Sequence, residues 1–408
     1  MINAILYIFY STLIFIIPIL IGRPLQIVLE KTNLLKLDNL ALIEKLTLYW
    51  CFGALFITLM ALVLFDLSIF NNFIFSILCL ILILLNLIKN PDLKLEYNKK
   101  ELIILSILLL NGFVAFLFII FFSPFPFQPT TDIFNYNRDI LSFTEDNFIS
   151  LTKGYTPIIW IITGVITKLL NLDPFYLGWY IRLIFCLIFP YAVYKFTFKL
   201  TSNYYLGLST GFFATWLIFT GLNQVHYFGP RTFIYIFYPI FLSIIIDKYK
   251  QINSENTRLK DIIISIVWVI VIFLLSYFYP ILKRVIDYPS IILLLIILLF
   301  AILLYKNKSP IIKIFCLISL FSISLHTLMG VALSSLLFLP ILFKSRNLDK
   351  LNKVTLISIF IGIFLIIFLL FYYYVFNTIL NPFNILPESG LINKTSFIFL
   401  INSFKESF

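Results

Sequence analysis

The chain has 408 residues and a formal net charge of +11, with 61% hydrophobic and 12% charged residues and a mean hydropathy of +1.04. That composition excludes a water-soluble domain and a disordered chain, and it predicts an integral membrane protein. The positive charge is therefore read as topology, through the bias of Lys and Arg to cytoplasmic loops, and no nucleic-acid partner is expected.

Apolar runs of span length recur from Leu6 to Phe376, which predicts an all-α polytopic bundle instead of the short alternating segments of a barrel. Ile2 to Ile21 lacks a basic n-region and a small-residue cleavage site, so it reads as a first span ending at Gly22. The segment to Lys45 carries Arg23, Lys31, Lys36 and Lys45 and reads as cytoplasmic, with the N-terminus outside. Spans over Leu46–Phe65 and Phe73–Ile88 follow, then a loop with Lys89, Lys94, Lys99 and Lys100 that reads as cytoplasmic. A fourth span, Leu102–Phe122, delivers the chain outside.

The next segment, Ser123–Tyr155, is the longest polar interval and holds four carboxylates, Asp132, Asp139, Glu145 and Asp146. A loop of this length and polarity is the mark of a site more than of a connection. Thr156–Leu170 follows, and at ~1.5 Å per residue it reaches only ~22 Å, short of a ~30 Å hydrocarbon core. Crossing here would leave Lys248, Lys250, Arg258 and Lys260 outside, so the segment is expected to be an external re-entrant or interfacial helix.

Later spans are expected over 181–198, 204–222, 232–246, 262–279 and 290–305, two within 311–343 broken at His326 and Gly330, and one over 355–376, about twelve in all. On this topology the cytoplasmic side holds 21 basic and 10 acidic residues and the external side 9 and 9, so all the positive excess lies inside. Residues 1–101 then form a three-span module, 102–376 a membrane core with external loop 123–180, and 377–408 an external tail. Cys51, Cys79, Cys186 and Cys316 all fall in apolar runs and are expected as buried hydrophobes without disulfide or metal spacing. The spans themselves look nearly free of buried charge, which speaks against ion-coupled transport.

This topology brings the scarce ionisable groups to one side. His226 in GLNQVHYFGPR and His326 in SLHTLMG both fall outside, with the carboxylate loop. Asp132, in PTTDIFNY, is close enough to the surface to act as general base on an acceptor hydroxyl, and equally fits an N-cap for the helical pattern that follows. Asp139 lies two helical turns on, able to orient Asp132 or share a cation with it, or to pair with Arg138. Glu145 and Asp146 read as a solvated pair or cation ligands. Arg182, Arg231, Lys283 and Arg284 run against the usual charge bias on the external rim; an anionic phosphate accounts for their accumulation, and snorkelling to headgroups for any one of them.

The order of a span, an external loop with TTDIFNYNRDILSF, then GYTPIIWIITGVITKLLNLDPFYLGWYIRLIF resembles the membrane glycosyltransferases of the GT-C superfamily over roughly Leu102–Ile246. The matching positions are Asp132, Tyr155 with Pro157, Asp173 with Pro174, and Arg182 with Leu183. The chain departs from the pattern in having a single Asp132 in place of an acidic pair and Tyr-Thr-Pro in place of a double proline. The resemblance implies a polyprenyl-phosphate-linked sugar as donor, a glycan, lipid or protein acceptor, and inverting transfer with Asp132 as base. It implies Arg182 and Arg231 on the leaving phosphate and, as in some members, a divalent cation (Mg or Mn) on Asp132 with Asp139 or Asp146. The expected location is a prokaryotic cytoplasmic membrane with the site facing outside. A polysaccharide polymerase or ligase, and a non-enzymatic flippase or transporter of lipid-linked sugars, are the alternative readings.

Overall fold

In hydrocarbon every backbone N–H and C=O must be satisfied within the chain, and helices achieve this segment by segment. The computed structural model describes residues 2–32, 40–67, 76–77, 79–81, 83–84, 99–122, 158–171, 174–216, 230–251, 267–271, 289–306, 310–325 and 334, and its regular structure there is entirely helical. The longer helices are α1 (Ile2–Lys31), α2 (Leu42–Asp66), α3 (Lys99–Phe122), α4 (Ile158–Leu170), α5 (Pro174–Thr201), α6 (Tyr204–Trp216), α7 (Pro230–Gln251), α8 (Pro289–Lys306) and α9 (Pro310–Leu325). All belong to the compact unit Met1–Lys353; the second unit, Val354–Phe408, lies outside the described residues. Within the described residues α1, α2, α3 and α5 contain stretches long and apolar enough to cross a membrane, while α4, α7, α8 and α9 contain shorter apolar stretches.

Helix ends follow capping chemistry. Glu44 Oε2 accepts the Ala41 N–H at 2.8 Å, a cap that starts α2 ahead of the expected Leu46. Pro174, Pro230, Pro289 and Pro310 each open a helix, where the missing N–H costs nothing. Between α5 and α6, Ser202 takes a left-handed φ of 57°, and Asn203 Oδ1 accepts the Tyr205 and Leu206 N–H groups at 2.9 and 3.2 Å. One expected boundary moves: α1 does not end at Gly22 but runs on to Lys31 through Pro18 and Pro24. Prolines are tolerated inside membrane helices where neighbouring helices pack on them, and here α2 does so. A Cβ on Gly53 would lie 1.8 Å from the Pro18 carbonyl oxygen, and one on Gly22 1.8 Å from that of Tyr49, so the α1–α2 crossing admits only glycine at both points.

Helix α5 is the hub, packing on α1, α3, α4, α6 and α7. The α1–α2 pair packs on α5 and α7, so helices from both sides of residue 101 share one core. That core is aromatic: Phe15, Trp50, Phe185, Phe233 and Phe237 join α1, α2, α5 and α7, with ring centroids 4.9 to 6.3 Å apart in the contacting pairs. On the flank, Asn111 of α3 donates to Thr215 Oγ1 at 2.9 Å and accepts from Trp216 Nε1 at 3.0 Å, fastening α6 alongside. All four cysteines are free and buried.

Candidate functional site

Partly buried ion pairs define one end of the bundle. Lys195 Nζ lies 2.5 Å from Glu101 Oε1, and Lys199 Nζ lies 2.5 Å from Glu44 Oε1 while also bonding Asp247. Ser243 donates its hydroxyl to the same Glu44 oxygen. These contacts gather the starts of α2 and α3 and the ends of α5 and α7 at one level. Helix α3 therefore runs opposite to α5, and Phe122 and Pro174 both lie at the far end. Phe122 and Pro174, which bracket the interval 123–173, thus share one end of the bundle.

Helix α4 sits inside that interval. Thirteen residues at ~1.5 Å each give ~20 Å, less than a bilayer core. Residues Ile158 to Thr167 are all buried, and α4 packs against α1, α2, α5 and α9.

The far end also receives two of the expected phosphate-binding residues. Phe185 of α5 and Phe233 of α7 stack edge to face at 5.3 Å, which fixes the level of both helices. Arg182 stands one turn before Phe185, and Arg231 two residues before Phe233, so both positions fall on the loop side of the aromatic core. Arg182 does not sit on the rim as expected. It lies eight residues inside α5, fully buried at 0% exposure, which removes snorkelling to headgroups as its explanation. Ser11 Oγ donates to the Leu177 carbonyl and Tyr7 stacks on Tyr180, closing α1 over this part of α5. A cation enclosed within a membrane bundle is expensive and usually has a function.

Asp132, Asp139, Glu145, Asp146, Tyr155, His226, Lys283, Arg284 and His326 lie outside the described residues, as does Asp173. Among the described residues no group of three or more His, Cys, Asp or Glu is arranged to hold a metal; the carboxylates expected to hold a cation are not among them. Sequence reasoning missed the charge network. It held the spans nearly free of buried charge, yet Glu44 is 0% and Lys195 5% exposed. A signal was present: Glu44 and Glu101 stand in the first turns of their helices and Lys199 in the last turn of α5, each complementing a helix dipole.

The chain matches no protein-family model, no curated protein and no solved structure.

Proposed function

We propose that the protein is a membrane glycosyltransferase that moves a sugar from a polyprenyl-phosphate donor to an acceptor at the external membrane face. The observation that carries this reading is Arg182, a fully buried guanidinium toward the bundle end where α3 finishes at Phe122 and α5 starts at Pro174, the helices that bracket the carboxylate-rich sequence 123–157. Arginine suits a phosphate by charge and by paired N–H donors, and enclosure from water strengthens both. Asp132 takes the proton of the acceptor hydroxyl as its oxygen attacks the anomeric carbon. The bond from that carbon to the donor phosphate oxygen breaks, and the polyprenyl phosphate leaves with the electron pair, its charge met by Arg182 and Arg231. The anomeric configuration inverts. A divalent cation on Asp132, Asp139 or Asp146 would add charge stabilisation to the same step.

Membranes incubated with labelled polyprenyl-phosphate sugar test this by thin-layer separation of donor and product. Label leaves the lipid for an acceptor in the wild type, and Arg182→Gln lowers turnover by about 10²-fold or more, the cost of losing one charge-stabilising donor. Wild-type membranes that leave the label on its lipid overturn the reading. One observation favours a flippase: the buried Glu44–Lys199–Asp247 network, which removes the argument that the spans lack charge. In that case the label stays on the lipid and changes leaflet.

A further inference from the structure

A cavity of about 190 Å³ lies between five helices, lined by Phe15 and Ile19 of α1, Ile43, Leu46, Thr47 and Trp50 of α2, Leu105 of α3, Ile188 and Tyr191 of α5, and Phe237 of α7. The lining offers water little. Trp50 Nε1 donates to the Ile14 carbonyl at 3.0 Å, and the other side-chain polar groups of the lining are the hydroxyls of Thr47 and Tyr191, whereas a buried water makes about three hydrogen bonds. Left empty, the cavity forfeits the dispersion contacts of its aromatic walls. In a bilayer the solvent on hand to restore them is hydrocarbon.

The cavity stands beside the charged end of the bundle. Ile43 and Thr47 flank Glu44, Leu105 is one turn from Glu101, and Tyr191 is one turn from Lys195, whose ammonium lies 5.9 Å from the Tyr191 ring centre. By position, this end of the five lining helices carries Arg23, Lys31, Lys45, Lys99, Lys100, Lys195, Lys199, Lys248 and Lys250 against Glu30, Glu44, Glu101 and Asp247, nine basic residues against four acidic. An apolar slot that ends at a positively charged level is complementary to an anionic amphiphile: a chain in the slot, a phosphate at the lysines. We propose that this cavity binds one acyl chain of an anionic membrane phospholipid, with its phosphate at the Lys45–Lys195–Lys199 level. The site is separate from the Arg182 end and does not depend on glycosyl transfer.

Trp50 provides the probe. A single-tryptophan variant retaining Trp50 is reconstituted in vesicles of phosphatidylglycerol with brominated chains, which quench indole emission at contact. Trp50 is 1% exposed, so a chain in the cavity quenches it where bulk lipid does not. The expected result is loss of most Trp50 emission, a weaker loss with brominated phosphatidylcholine, and recovery of emission when Ile188→Phe or Thr47→Leu fills the slot. Absence of quenching, quenching unchanged in a filled variant, or equal quenching by both headgroups overturns the proposal. The headgroup comparison uses the unfilled protein, so it decides even where a filled variant fails to fold.

Discussion

Glu44 serves three partners at once. It accepts the Ala41 N–H that starts α2, pairs with Lys199 from the end of α5, and accepts the Ser243 hydroxyl from α7. At 0% exposure its charge is compensated by these groups among the described residues, and removing one side of a buried pair leaves the other desolvated without its counter-charge. Glu44→Ala is expected to destabilise the folded bundle by about 3–5 kcal/mol. Glu44→Gln, which keeps the shape and an acceptor oxygen, loses less; denaturant unfolding in detergent micelles measures both. The cap is local, but the ion pairs are invisible to a local reading, because Glu44 and Lys199 are 155 residues apart and Lys195 and Glu101 are 94 apart. Arg182 shows the same limit from the other side: its position before an apolar run suggested a rim, and only the start of α5 at Pro174 puts it inside the helix.

At the scale of elements, length and apolar content made the helices legible, since a hydrocarbon core demands continuous apolar runs of span length. The ends of helices were less so. The α1 run continues past Gly22 because Gly22 and Gly53 let α2 approach the proline-containing stretch of α1 at backbone distance, a fact about the neighbour and not about the run. Gly53→Val should therefore part α1 from α2, since its side chain meets the Pro18 carbonyl, a backbone group with little freedom to move. The expected loss is at least the ~1–3 kcal/mol typical of overpacking, read as a lower unfolding midpoint in micelles. Asn111→Leu is milder: it removes the contacts to Thr215 and Trp216, worth roughly 0.6–2 kcal/mol in a membrane.

For the whole molecule, antiparallel α3 and α5 mean that segment 123–173 starts and finishes at one end, opposite the ion-pair network. From the charge distribution α4 is expected not to cross, because basic residues near 250 and 195–199 would otherwise lie outside. The Lys195–Glu101 contact, by setting α3 against α5, places Phe122 and Pro174 at one end. Cysteines substituted at Lys168 and Lys250 should react with membrane-impermeant reagents from opposite faces, the first from outside and the second from inside. Labelling of both from one face would contradict the helix directions. For the candidate site the sequence offers residue types, an aspartate in a polar loop and arginines expected on its side, and no more, because such groups gain meaning from contacts across the bundle.

Glycosyl transfer as proposed requires Asp132 to take the acceptor proton. Transfer of label from polyprenyl-phosphate sugar, measured in membranes with wild-type protein and with Asp132→Asn at equal expression, decides it. Turnover is expected to be lost in Asp132→Asn while the protein remains in the membrane; turnover retained near the wild-type rate would rule out Asp132 as the base.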